Sequence, residues 1–181
     1  MLLLLGGGLA LTHLRGLSAL EILGQGAAWL GVSWLIGFTE ELAFRGYLLQ
    51  TLARGMGFWP AALLTSLLFA ALHITNAHET VIGIMNVFGA GMILCIALKR
   101  SFSLWWSIGF HAGWDYAENF IYGTHDSGQA CAGALLNTLP RGPLWLSGGL
   151  AGPEGSLLGL GVEVLVAAGL YIFLRPRTSL T

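Results

Sequence analysis

The stretch GFTEELAFRGYLL, residues 37–49, largely determines the predicted fold. It places Glu40, Glu41 and Arg45 inside a segment, residues 29–52, that otherwise has the apolar composition of a membrane helix. Charged side chains are costly in hydrocarbon, so they almost always face a bundle interior or an aqueous cavity and mark functional sites. Glu41 and Arg45 are four residues apart, with the acid before the base, and are predicted to form an ion pair.

The composition indicates a membrane protein. The chain has 181 residues, of which 55% are hydrophobic and 9% charged, whereas soluble domains carry about 25% charged residues. We therefore predict an all-α fold, a polytopic transmembrane helical bundle that forms one domain over residues 1–181, with a motif-bearing core at about 30–122. The net charge of −1 provides no basic footprint, so nucleic acid is excluded as a partner. Cys95 and Cys131 have no CxxC spacing, which predicts neither a disulfide framework nor a thiolate metal site.

The predicted spans follow the apolar runs of the sequence. The first run, residues 1–11, has about half of the ~20 residues that a spanning helix needs. We interpret it as a partial or re-entrant segment, or as the remnant of a longer N-terminus. Helix-ending residues in the stretch RGMGFWP, namely Gly55, Gly57 and Pro60, predict a break after the second run. The predicted spans are 19–53, 60–76, 80–98, 104–122 and 157–174, and a Gly- and Pro-rich loop occupies 123–155.

The basic residues predict how the chain is oriented, because cytoplasmic loops collect Lys and Arg. If the chain changes sides at each predicted span, Arg15 and Arg141 fall on one face of the membrane. The opposite face receives the larger set, which comprises Arg54, Lys99, Arg100, Arg175 and Arg177. This bias places the larger set in the cytoplasm and the 123–155 loop outside.

Four polar residues fall at similar depths in these spans. At 1.5 Å per residue, Glu40 and His73 each lie ~20 Å from the predicted cytoplasmic end of their helices. His111 lies at roughly 16 Å and Asp115 at roughly 22 Å, and the two share one helix face. Independent structural roles give no reason for this coincidence of depth. The sequence therefore predicts that three helices bring these side chains into one polar site.

Each feature also has a simpler explanation when taken alone. Thr39 could cap an interfacial helix, with two Glu residues at the positive end of its dipole, and a single membrane His more often hydrogen-bonds a neighbouring helix. Phe69, one turn before His73, is interpreted as core packing that orients the His-bearing helix. Glu118 lies three residues beyond Asp115. It either lines the same wall or ends its helix at the interface, and we favour the interface.

Three motifs carry a family resemblance. EELAFR (40–45) fits EExxxR, FAALH (69–73) fits FxxxH, and HAGWD (111–115) fits HxxxN/D. In this order on successive apolar helices, they make the chain resemble the CAAX protease and bacteriocin-processing (CPBP or Abi) family of intramembrane proteases. Its eukaryotic members include the type II CAAX prenyl endopeptidase. GPEGS (152–156) is similar to a loop common in bacterial members, which implies an integral, multi-pass protein of a bacterial plasma membrane.

The resemblance implies catalytic roles for the first two motifs. Glu40 is implied to be the general base that activates water, and His73 to hold that water. Glu41 and Arg45 are implied to act as structural or orienting residues at the same site.

The third motif is implied to face the substrate carbonyl through His111 and Asp115. The resemblance implies Asn at the position of Asp115 in the eukaryotic enzyme, so the chain departs from that enzyme here. An ionised Asp would repel an oxyanion. Asp115 is therefore either protonated in its apolar setting, or a ligand, or an orienter of His111.

A divalent metal, most plausibly Zn²⁺, is a second option for activating the water. The candidate ligands are Glu40, His73, His111 and Asp115. The sequence contains no HExxH, so it supports the metal less firmly than it supports the glutamate, and both options stay open here.

The predicted activity is an intramembrane endopeptidase, and the predicted partners are the lipid bilayer and a membrane-associated or lipidated peptide or protein. Two alternatives belong to other classes. An ion-coupled carrier could use the same residues as a relay, although the chain has no internal repeat of the kind that carriers commonly contain. A non-proteolytic scaffold or bacteriocin self-immunity protein could use the same cavity to bind a partner, and it would keep its function in Glu40→Ala.

Overall fold

The computed structural model describes residues 1–174, and the protein is mostly helical (72%). Two π-helical segments, Leu42–Leu48 and Ala117–Tyr122, directly extend the helices that carry the polar motifs. The other elements, in chain order, are α1 (Leu2–Gly6), β1 (Ala10–Leu14), α2 (Ala19–Glu41), α3 (Leu49–Met56), α4 (Phe58–His73), α5 (Val81–Ser101), α6 (Leu104–Tyr116), β2 (Leu136–Pro140), α7 (Leu144–Ser147) and α8 (Leu157–Phe173).

Capping residues set the helix boundaries. Ser18 begins α2 with a capping box, in which its hydroxyl accepts from the Glu21 N–H and the Glu21 carboxylate accepts from the Ser18 N–H. Gly57, with a φ of 83°, separates α3 from α4, so the predicted break is confirmed. The hydroxyls of Thr80 and Ser156 cap the first turns of α5 and α8.

Within residues 1–174, two helices are long and apolar enough to cross a membrane. One is the continuous helix Ala19–Met56, with 38 residues, and the other is Val81–Ser101, with 21. The apolar helices α4 and α8 are shorter. The first apolar run of the sequence contains only one short helix, the five-residue α1, and the start of β1, as expected for a segment that does not span. Arg175 and Arg177, which contribute to the predicted orientation, lie outside the described residues.

The helices pack in a continuous series of neighbours. α2 packs on α6, α3 on α4, α4 on α5, and α5 on both α6 and α8. Apolar side chains fill the contact between α4 and α5, with contributions from α3 and the adjacent π-helical segment. The fully or largely buried ones are Leu49, Ala61, Ala62, Phe69, Ala70, Val87 and Cys95. Cys95 is a free cysteine within this core.

A small β-sheet corrects the all-α prediction. β1 and β2 pair as antiparallel strands, with Ala10 opposite Pro140 and Leu14 opposite Leu136. The sheet joins the N-terminal segment to the long loop that precedes α8. The sequence does not predict the sheet because β1 has only five residues, too few to show a period, and its partner is distant in sequence.

The close approach of α2 and α6 depends on Gly37. A Cβ at Gly37 would lie 3.0 Å from the backbone nitrogen of Ala112 and 3.2 Å from the backbone oxygen of Ile108. Gly37 lies one turn before Glu41, and Ala112 follows His111. This contact therefore sets the distance between the acidic end of α2 and the histidine of α6.

We expect Gly37→Ala to lower the free energy of unfolding by about 1–3 kcal/mol, because the added methyl meets backbone atoms that cannot rotate away. The measurement is thermal melting of the detergent-solubilised protein, followed by circular dichroism. Gly31→Ala is the matched control, since a Cβ at Gly31 of the same helix meets nothing within 4 Å. Alanine is the better helix former, so this variant should melt no lower than wild type. Equal melting of the two variants would contradict the role of Gly37.

Candidate active site

One cavity of about 620 Å³ collects the four residues that the sequence places at one depth. Glu40 from α2, His73 from α4, and His111 and Asp115 from α6 all line it. Apolar and aromatic side chains form most of the remaining wall. Such a cavity, with a few convergent polar groups in an apolar lining, is typical of a binding or catalytic site.

A hydrogen-bonded chain lies behind the cavity wall. Nη1 of Arg45 donates to Oε1 of Glu41 at 2.7 Å, and Nδ1 of His111 lies 3.0 Å from the same oxygen. An ionised carboxylate only accepts hydrogen bonds, so Nδ1 of His111 carries a proton and donates it to this bond. The chain therefore fixes the imidazole ring and turns its Nε2 toward Glu40 and Asp115.

The other nitrogen of His111 lies between two carboxylates. Nε2 is 3.8 Å from Oε2 of Glu40 and 3.7 Å from Oδ1 of Asp115. Both distances exceed the range of a direct N–H···O hydrogen bond, about 2.7–3.2 Å, and suit a bridging polar atom. The Glu40 side chain is 36% exposed, so its carboxylate can be reached from the cavity, whereas Asp115 is buried.

Arg45 is buried beside aromatic rings. Its guanidinium carbon lies 4.5 Å from the ring centroid of Phe69 and 5.9 Å from that of Phe44. Only 1% of Arg45 is exposed, and Glu41 is fully buried. Ring faces attract a desolvated cation, so they offset part of the cost of removing this guanidinium from water. Neither Arg45 nor Glu41 lines the cavity itself.

His73 is held by its own helix. Its Nδ1 lies 2.8 Å from the backbone oxygen of Phe69, and its ring packs on the Phe69 ring with centroids 4.8 Å apart. A carbonyl oxygen only accepts, so Nδ1 carries the proton. In the neutral ring, Nε2 is then an acceptor. Phe69 thus orients His73 through both its carbonyl and its ring.

Glu118 is buried inside the protein, and its position relative to the membrane interface stays a prediction. Only 5% of the residue is exposed. The long loop folds back over the end of the α6 helix, where the N–H of Thr124 donates to the Glu118 carbonyl at 3.1 Å. The sequence places Glu118 near a helix end but does not show that the loop covers this end.

Glu154 lies in the GPEGS motif, but the sequence does not indicate that this residue belongs to the cavity. Glu154 lines the cavity, where Nε1 of Trp114 donates to its Oε1 at 3.0 Å. The N–H and hydroxyl of Ser127 donate to its Oε2 at 3.0 and 2.6 Å. Motif spacing could not link a residue near the end of the long loop to α6. The sequence also gives no indication of two further carboxylates in the cavity lining, Asp126 and Glu163.

Carboxylates are concentrated on the loop side of the cavity. Burial raises the pKa of Asp126 well above its ordinary value, and the charges of Glu154 and Asp115 raise it further. A hydrogen bond from the Asn119 side chain acts in the opposite direction. The positive charge of His111 also lowers the pKa of Asp126, but burial and the two carboxylates outweigh both effects.

The four predicted zinc ligands line one cavity, but their ligand atoms are not grouped closely enough for one zinc ion. Zinc binds nitrogen and oxygen at about 2.0–2.2 Å, which brings ligand atoms within about 4.4 Å of one another. In residues 1–174, no three of the ligand atoms of Glu40, His73, His111 and Asp115 lie within 4.8 Å of one another. The donor types suit zinc but their arrangement does not form a zinc site, and a metal requirement stays a prediction.

The comparison with known proteins identifies the family. Residues 23–117 match the family described as type II CAAX prenyl endopeptidase Rce1-like, a family of membrane-embedded proteases. This segment is more than half of the chain and contains all three motifs. No curated protein and no solved structure matches the chain. The family resemblance predicted from the motifs is thereby confirmed: the chain belongs to the type II CAAX prenyl endopeptidase Rce1-like family.

Proposed function

We propose that the chain is a multi-pass membrane endopeptidase in which Glu40 activates a water molecule to hydrolyse a peptide bond. The observation that carries the proposal is the convergence of Glu40, His73, His111 and Asp115 on one cavity. These residues lie within the segment that matches a protease family. The additional apolar helices α4 and α8 support a polytopic bundle.

The outer surface of α8 also supports the proposal that the chain crosses the membrane several times. None of its residues is buried, and large apolar side chains such as Val164, Leu165 and Phe173 are largely exposed. A soluble monomer rarely exposes contiguous apolar surface of this kind. Contact with lipid is the arrangement that makes this surface favourable.

Glu40 is suited to be the general base because its carboxylate reaches the cavity. In the proposed reaction it takes a proton from water, and the water oxygen bonds to the carbonyl carbon of the peptide. The same carboxyl group then delivers the proton to the amide nitrogen as the C–N bond breaks. One residue thus serves as base and then as acid.

His73 is suited to position the water. With Nδ1 bonded to the Phe69 carbonyl, the neutral ring offers Nε2 as an acceptor for one water O–H. The second water O–H is then directed to Glu40. This arrangement lowers the entropy cost of bringing the nucleophile to the carbonyl.

His111 is suited to stabilise the oxyanion. Its two nitrogens face carboxylates, with Glu41 on Nδ1 and with Glu40 and Asp115 near Nε2. This environment favours a proton on each nitrogen, so Nε2–H can donate to the developing oxyanion. Glu41 orients the ring through Nδ1, and Asp115 is proposed to be protonated, because an ionised carboxylate beside Nε2 would repel the oxyanion.

The substrate proposed is a membrane-associated or lipidated peptide. The predominantly apolar cavity can accept apolar side chains or a lipid group from the bilayer, and its polar residues can act on one peptide bond. This assignment rests on the cavity lining and on the family.

The test of this function is cleavage of a fluorescence-quenched peptide library, with lipidated members, by the purified protein in liposomes. Mass spectrometry locates the bond that is cleaved. We expect cleavage by wild type and a rate about 10²-fold lower in His73→Ala, because the water loses its orienting acceptor. Equal rates for the two proteins, or no cleavage by wild type, would contradict the proposal.

We expect cleavage to persist in 1,10-phenanthroline, which removes zinc and other transition metals, because every proton in the proposed reaction is carried by Glu40. The assay is the same, with untreated and chelator-treated protein compared. Loss of cleavage that added Zn²⁺ restores would show that a metal activates the water instead.

A further inference from the structure

A second cluster of carboxylates lies beside the proposed active site. Glu118, Asp126 and Glu154 each contribute one oxygen, and these oxygens all lie within 4.8 Å of one another. The residues come from the π-helical extension of α6, from the long loop, and from the turn before α8. All three lie outside the segment 23–117 that matches the protease family.

Glu118 requires a partner that the described chain does not supply. The residue is 95% buried, since 5% is exposed, and its Oε2 has no hydrogen-bond partner within residues 1–174. Leaving a buried carboxylate oxygen unpaired is costly, because it loses its hydration and gains nothing in return. A ligand that contacts this oxygen would remove that cost.

The other two members are held in place but are not neutralised. Trp114 and Ser127 direct the two oxygens of Glu154, and Asn119 donates to Asp126. None of these three donors is charged. The ion pairs found in residues 1–174 involve none of the cluster carboxylates. Three carboxylates in a poorly solvated place repel one another unless a cation or protons compensate them.

We propose that Glu118, Asp126 and Glu154 bind one hard divalent cation, and that Ca²⁺ is the best-suited ion. The ligand set consists of oxygens only, which hard cations prefer. Calcium–oxygen bonds of about 2.3–2.6 Å place opposite ligands up to about 5 Å apart, which accommodates oxygens within 4.8 Å of one another. Zinc is disfavoured, because the cluster offers no nitrogen or sulfur ligand.

The bound ion would link three parts of the chain. It would join the end of the α6 helix to the long loop and to the turn that starts α8, where Glu154 lies. Because Asp126 and Glu154 also line the cavity, the ion would fix one wall of it. The proposed ion takes no part in water activation, so this inference goes beyond the proposed function and does not depend on it.

The test is calcium binding to the full chain in detergent, measured by isothermal titration calorimetry after removal of bound metal, with Mg²⁺ and Mn²⁺ titrated for comparison. We expect one Ca²⁺ per chain and a Ca²⁺-dependent rise in melting temperature. Glu118→Gln should weaken binding at least 10-fold. Glu163→Gln is the matched control: it also removes one carboxylate near the cavity, but it lies outside the cluster and should bind as wild type does.

Metal-free melting separates a lost ligand from a damaged fold. Without Ca²⁺, Glu118→Gln should melt no lower than wild type, because it removes charge repulsion; with Ca²⁺ it should melt lower than wild type. Asp126→Asn provides the same comparison if Glu118→Gln does not fold. Absence of binding by wild type up to about 10 mM Ca²⁺, well above the Kd of weak calcium sites, would overturn the proposal. Equal binding by the cluster variants and wild type would overturn it too.

Discussion

Glu40→Gln is expected to lower kcat for peptide hydrolysis by about 10²–10⁴-fold, the usual contribution of a general acid–base group. The amide has nearly the same shape as the carboxylate, but it cannot take a proton from water or deliver one to the leaving nitrogen. Glu40 is partly exposed to the cavity, so the substitution leaves no buried charge without a partner. The fold and the binding of peptide should therefore persist, and the measurement is kcat and KM in the liposome assay.

The matched control for Glu40→Gln is Glu163→Gln. Glu163 also lines the cavity, but it makes no ion pair with His111 in the part of the chain that the structure describes. This variant should keep kcat within a few-fold of wild type. Wild-type turnover by Glu40→Gln would remove the general-base role. If wild type cleaves nothing but binds a partner, and Glu40→Gln binds that partner equally well, the scaffold alternative is favoured.

Arg45→Met is expected to destabilise the fold by about 3–5 kcal/mol, the range for breaking one side of a buried ion pair. The substitution keeps an apolar chain against Phe69 but leaves Glu41, which is fully buried, without the Arg45 guanidinium that it binds. Protein yield and melting temperature in detergent measure the effect. A melting profile equal to that of wild type would refute the structural role of Arg45.

The double variant Arg45→Met with Glu41→Gln tests whether the loss comes from the unpaired charge. Replacing both members of a buried pair is often close to neutral, so this variant should recover most of the lost stability. It should not recover full activity, because Nδ1 of His111 would no longer face an ionised carboxylate. Stability that stays low in the double variant would assign the loss to packing instead.

The long apolar helices could be predicted because hydropathy and helix breakers are local signals. The run at 80–98 corresponds to α5, and the glycine at position 57 ends α3 as expected. The sheet could not be predicted in this way. β1 gains its stability from β2, and nothing in either short stretch identifies the other as its partner.

In the candidate site, too, contacts within one helix could be predicted from the sequence, whereas contacts between elements that are distant in sequence could not. The spacing of Glu41 and Arg45 is local, and the structure contains their ion pair. Helix rise was enough to predict that Glu40 and His111 would meet. It could not reveal that His111 would bond to Glu41, because that contact depends on how α2 and α6 rotate against each other. The burial of Glu118 likewise depends on the path of the loop.

The β1–β2 sheet has a consequence for how the protein is made. Thr12 and Thr138, whose hydroxyls are 3.1 Å apart, are separated by 126 positions in the sequence. During synthesis β1 leaves the ribosome first and stays unpaired until β2, which follows α6 in the chain, has been made. Closing so long a loop costs entropy before any contact compensates it. We therefore expect the sheet to form late in biogenesis, after the helices have entered the bilayer, and a nascent chain arrested before residue 136 to lack it.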